Sequence, residues 1–270
     1  MQRGETMTRW RLWVILACVV GILVACGGES TPTPEEETSS SPVQWLRDPL
    51  HVVFRADIVG GERSAWQTAN HIPDCTIYGD GRVVWTNDSS GGLQVLFDFL
   101  TDLTIQDFIS FLAIDARIYT YEEGFPLQLP QSVTPAYAQI TVEVSGRKHV
   151  TDSYGNWESD LYSVVLEACR TLSKTPRRFV PTGAWLSATP ADPGRDIPTV
   201  YWDSEASGFN FGALALDGSK MWIEGNIVRA LWANIVEDPA EVRFDDRFGV
   251  YMLTLQVPGV TLDAPPAPAE

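Results

Sequence analysis

The sequence predicts an α+β body in which antiparallel sheets are built from hairpins and about three helices pack on them. Three observations carry this. Short β-prone runs flank turn dipeptides, most clearly in Tyr78-Gly79-Asp80-Gly81-Arg82. Apolar residues recur at i, i+3, i+4 and i+7 in separate segments, the spacing of one helix face. Each helical segment follows a hairpin, at unequal intervals, so no solenoid repeat is present.

The elements follow in order. Residues 51–59 alternate, with Val52, Phe54, Ala56 and Ile58 on one side and Arg55 and Asp57 on the other, as in a strand with one buried face. Residues 75–85 form the first hairpin around Asp80-Gly81. A helix is expected from Thr104, which has Asp107 at capping-box spacing; its stripe is Ile105, Phe108, Ile109 and Leu112. The second hairpin puts Ile140, Val142 and Val144 on one face and turns at Ser145-Gly146. A second helix is expected from near Asn156, with Leu161, Val164, Val165, Ala168, Cys169 and Leu172 inward. Glu158 and Asp160 near its start and Arg170 and Lys174 near its end suit the helix dipole. A strand is expected over 179–188, and a third hairpin turning at Asp217-Gly218 between strands 211–216 and 220–224. The third helix is expected over 226–236, with Val228, Leu231, Trp232 and Ile235 inward and Pro239 as its stop. Strands 242–245 and 250–257 close the body.

The N-terminus reads as an address. Arg3, Arg9 and Arg11 precede an apolar run from residue 12 to residue 25, shorter than the roughly 20 residues that span a bilayer. The run ends Leu23-Val24-Ala25-Cys26-Gly27. This resembles the lipobox of bacterial lipoproteins, which implies cleavage before Cys26 and lipid on its sulfur. The resemblance implies a signal peptide over 1–25 and a lipid-anchored protein at the cell membrane, facing outside the cytoplasm. Residues 26–42 form an acidic Pro/Ser/Thr tether, without an apolar side chain large enough to pack and expected to be disordered. Its reach is about 22 Å. Glu29, Glu35, Glu36 and Glu37 either hold the body away from anionic lipid or only solvate a spacer. The body divides near residue 177 into α+β subdomains, 43–177 and 178–260, that can share one core; 261–270 is expected to be a disordered tail.

The order of the strand, the Tyr-Gly-Asp-Gly-Arg hairpin, a helix, the Val144-Ser-Gly-Arg-Lys148 hairpin and a second helix is similar to uncharacterised secreted bacterial domains built on a tyrosine-glycine-aspartate-glycine hairpin. It covers roughly residues 51–173. Members often carry a Cys-x-x-x-Cys-Pro element before the hairpin, where this chain has Cys75 alone. The resemblance implies a fold outline and no activity.

The 270 residues carry 19 Lys+Arg and 35 Asp+Glu, net −16. Without residues 1–25, which hold three Arg and one Glu, 16 basic and 34 acidic residues remain, net −18. That balance excludes a nucleic-acid partner, because phosphate binding needs an excess of Lys and Arg. After lipidation of Cys26, Cys75 and Cys169 remain in an oxidising setting. They either form a disulfide between the first hairpin and the second helix or stay as two separate buried thiols.

No catalytic or metal constellation stands out, and no cofactor is expected. His51, His71 and His149 lack a second ligand at metal-site spacing. Ser145-Gly146-Arg147-Lys148 has the Ser-x-x-Lys spacing but falls on a hairpin turn, not a helix start. Asp152 and Asp245-Asp246 read as turn residues. Eight Trp remain after processing, and the candidate binding residues are Tyr201 and Trp202, in a Pro/Gly-rich connection. The function expected is a non-enzymatic module that binds a small ligand or an envelope protein. The alternatives are a carboxylate-dependent extracytoplasmic hydrolase, which needs two acidic groups about 5–10 Å apart in a cleft, and a structural or accessory subunit of an envelope complex.

Overall fold

A computed structural model describes residues 43–89, 92–124, 135–192, 197–236 and 242–269. The expected signal peptide, Cys26, the tether and Pro239 lie outside these residues. The described residues contain twelve strands and six α-helices in two sheets, an α+β fold.

The first sheet takes its strands in chain order as β1 (Val52–Val59), β2 (Cys75–Tyr78), β3 (Arg82–Ser89), β4 (Gly92–Phe99), β5 (Tyr137–Val144), β6 (Arg147–Asp152) and β7 (Arg177–Arg178). Their spatial order is β6-β5-β1-β2-β3-β4-β7, all antiparallel. Helices α1 (Ala65–Ala69), α2 (Asp102–Ile114) and α3 (Leu161–Arg170) lie between these strands in sequence. The second sheet is β8 (Gly183–Pro190), β9 (Thr199–Tyr201), β10 (Met221–Glu224), β11 (Arg243–Asp245) and β12 (Val250–Gln256), in the order β10-β8-β12-β11-β9. Its pairs are antiparallel except β9 with β11. Helices α4 (Ser204–Ser207), α5 (Phe211–Asp217) and α6 (Asn226–Ile235) accompany it.

The first two of the three expected hairpins turn where their residues demand. Gly81 has φ +87°, a region that favours glycine. A Cβ on Gly79 would overlap the backbone of Leu46 and Asp48, so the segment before β1 lies directly over this turn. Trp45 Nε1 donates to the Gly79 carbonyl at 3.2 Å and fixes that segment. At the second turn Ser145 and Gly146 both have positive φ, the pattern of a two-residue hairpin loop.

Two cores result. On one face of the first sheet, Phe54, Ile77, Val83, Trp85, Ile140 and Val142 pack against the apolar stripes of α2 and α3. Cys75 and Cys169 are joined in a disulfide there, with Cα atoms 6.5 Å apart, stapling β2 to α3. On the opposite face, Tyr78, Val84 and Val95 enter the core of the second sheet with Leu186, Phe211, Trp232, Phe244 and Leu255. The division near residue 177 thus separates two sheets but not two cores. Phe179 illustrates this: its ring meets Phe97 from β4 and Trp232 from α6.

Several expectations are corrected. Residues 211–217 form a helix rather than a strand. Asn210 accepts the Ala213 N–H at its start and Gly218 closes it at φ +64°, so Asp217-Gly218 is a helix C-cap and not a hairpin turn. Helix α2 starts at Asp102, because extended Thr101 accepts the Thr104 N–H. Helix α3 starts at Leu161 and not near Asn156, whose φ of +60° is incompatible with a helix, and Val164 is exposed rather than inward. β8 spans Gly183–Pro190, where the strand is expected over 179–188. A bulge between Val52 and Phe54 breaks the alternation of β1, so Val53 and Phe54 are both buried. The tail is anchored through Pro266: Thr261 is buried, Leu262 N–H donates to His71 O at 2.8 Å, and Trp185 Nε1 donates to Pro266 O at 2.9 Å. Prolines cannot donate, but their carbonyls serve as acceptors. No helix among the described residues is long and apolar enough to cross a membrane.

Candidate functional site: a polar cleft on the first sheet

The face of the first sheet that meets the second core at β2–β4 continues over β1, β5 and β6 as a cleft of about 590 Å³. That volume is in the range of small-molecule sites. Its floor follows from register. Arg55 lies opposite Thr141 and Asp57 opposite Gln139 on β5, while Glu143 pairs with Lys148 across β5 and β6. Period-two alternation directs these side chains away from the α2/α3 core.

Asp57 is the centre of the site. It is 2% exposed. Its Oδ1 lies 2.7 Å from His71 Nε2. Its Oδ2 is buried with no hydrogen-bond partner among the described residues. Arg55 Nε is buried in the same condition. Each such buried atom costs about 1–3 kcal/mol unless something completes it. His71 is positioned by the second sheet and the tail. Asn70 beside it donates to Leu253 O at 3.1 Å and accepts the Leu255 N–H at 2.7 Å, and the His71 carbonyl holds Leu262. The cleft therefore sits where the two sheets are clasped together.

Four carboxylates line the cleft (Asp57, Glu123, Glu143 and Asp263) against two cations, Arg55 and Lys148. His51 Nδ1 stands 4.0 Å from Glu143 Oε1. Beneath Arg55, burial pushes the Tyr78 hydroxyl above its ordinary pKa, and the charges of Arg55 and Arg82 oppose that shift. Tyr78 thus stays neutral.

A second cavity, of about 620 Å³, lies between α5 and the start of β12. It is apolar, with Leu216 and Phe248 exposed at its rim. Tyr251 is its phenol, held neutral by burial and by nearby Asp246. Asp246 is fully buried, and its carboxylate accepts the N–H groups of Phe211, Gly212, Phe248 and Gly249, so it is a structural cap. Asp152 similarly accepts from Gly124 and Tyr154. Because the second cavity lacks a charged group in its lining, the polar cleft is the better candidate for chemistry.

The residues singled out from sequence lie elsewhere. The Cys75–Cys169 disulfide is wholly buried in the core. Tyr201 is exposed and accepts from Arg247 Nε. Trp202 is not the exposed aromatic expected: its ring packs 5.1 Å from that of Phe211 and its Nε1 donates to Phe209 O. Neither lines the two cavities, and none of the eight body Trp does. Trp45, Trp85 and Trp232 are buried and the others half-buried, so the Trp surplus is packing. Sequence reasoning missed Arg55, Asp57, His71 and Glu143 as a group. The usable signal was the charged pair at i, i+2 on an otherwise apolar strand; nothing local linked His71 to it. Among the described residues no group of three or more His, Cys, Asp or Glu is placed to hold a metal ion. Comparison with protein-family models, with curated proteins and with solved structures gave no match to this chain.

Proposed function

We propose that this chain is a bacterial lipoprotein, anchored through lipid on Cys26 at the outer side of the cytoplasmic boundary, whose acidic body binds a small polar ligand in the cleft of Asp57. The lipobox supports the anchor. The observation that carries the binding reading is the buried, half-partnered Asp57 carboxylate in the wall of a polar cavity. Native polar groups are satisfied nearly everywhere, so an unpartnered carboxylate oxygen calls for a partner, and the cavity beside Asp57 has room for one. A second reading, a hydrolase using paired carboxylates, is favoured by the four carboxylates that share this cleft.

Thermal unfolding in the presence of polar metabolite mixtures tests the binding reading. The expected result is a mixture that raises Tm, with the rise lost in Asp57→Asn and kept in Leu216→Ala at the second cavity. A rise lost only in Leu216→Ala would move the site. Turnover of a glycoside by the wild type, abolished in Glu143→Gln, would favour the hydrolase instead. For the anchor, Cys26→Ser is expected to leave the protein soluble or unprocessed. Retention of that variant on carbonate-washed membranes would contradict lipidation.

A further inference from the structure

The cleft's charges are specific enough to name a ligand class. Resting on the binding reading above, we propose that it takes a small zwitterion, with its ammonium group at Asp57 and its carboxylate at Arg55, and that basic amino acids are the best match. Asp57 Oδ2 is a buried acceptor without a partner, and Arg55 Nε is a buried donor without one. The two residues are i and i+2 on β1, so their side chains leave the same face about 6.6 Å apart along the strand. An ammonium group brings the donors that Asp57 lacks. A carboxylate brings the paired acceptors that a guanidinium binds best.

The rest of the lining selects among zwitterions. Glu123, Glu143 and Asp263 face the one remaining cation, Lys148. This leaves a negative field that attracts a second positive charge on the ligand and disfavours an acidic one. The segment that carries Asp263 also holds His71 through the Leu262 N–H, so the wall that supplies the field fixes the partner of Asp57.

Isothermal titration of the full chain in detergent tests this with five probes: arginine, lysine, glutamate, putrescine and glucose. Arginine and lysine are expected to bind at least tenfold more tightly than glutamate, which adds negative charge, or putrescine, which lacks the carboxylate. Glucose is expected to give no heat. Arg55→Gln should weaken arginine at least tenfold and leave putrescine unchanged, a pattern that misfolding would not produce. Asp57→Asn should weaken both, with circular dichroism reporting whether its fold is intact. Glutamate or glucose bound as tightly as arginine, with the binding lost in Lys148→Ala, overturns the ligand class and leaves the binding cleft standing. Arginine binding unchanged by Arg55→Gln and by folded Asp57→Asn overturns both. Absence of heat from all five overturns the zwitterion, and the metabolite-mixture assay then decides the cleft.

Discussion

Asp57 and Asp246 are both buried carboxylates with opposite consequences. Asp246 accepts four backbone N–H groups and ties the β11–β12 turn to the start of α5. Asp246→Ala strands four donors and is expected to cost about 3 kcal/mol or more in urea unfolding. A loss under about 1 kcal/mol would contradict its role as a cap. Asp98 shows a pH effect. The Ser173 hydroxyl at 2.7 Å, then the Phe99 N–H and the Thr175 hydroxyl, hold its carboxyl below the usual carboxylate range. The stability it contributes is therefore present above the unfolded value of about 3.9 and fades as pH falls through the lower folded value. Carbon-13 NMR of the Asp98 carboxyl is expected to give a midpoint below about 3.9 that rises in Ser173→Ala. A wild-type midpoint at or above that value would contradict the hydrogen bonds.

At the scale of elements, legibility tracks how local the determining interaction is. The turns at Asp80-Gly81 and Ser145-Gly146 need only their own residues, and both are where the sequence puts them. The stripes of α2 and α6 were also readable, because Ile105, Phe108, Ile109 and Leu112, and Val228, Leu231 and Trp232, turn inward. Helix α5 stands where a strand is expected because Asp-Gly serves hairpin turns and helix C-caps alike. The Asn210 cap and the Ala/Leu run were the deciding local signals. The disulfide depends on a separation of 94 residues, which no local pattern fixes. Replacing Cys75 and Cys169 together by Ala is expected to destabilise by up to about 4.5 kcal/mol in the chain-entropy account. Unchanged denaturant stability would show that the bridge adds nothing to packing already in place.

At the scale of the whole molecule, the cleft exists because one sheet face has two neighbours along its width. Over β2–β4 it is buried in the second core; over β1, β5 and β6 it remains polar and forms the cavity floor. That division was not legible in the sequence. It requires Asn70 and His71 to reach β12, β1 and the tail at once, partners up to 185 residues apart. The expected tail became part of the wall for the same reason. The most direct test of the binding cleft is an amide NMR titration of the protein with arginine. The account predicts shifts confined to β1, β5, β6, His71 and residues 262–263, saturating with one ligand per chain. Shifts centred on α5, Phe248 and Tyr251 would contradict the cleft, and none at saturating arginine would contradict the zwitterion assigned to it.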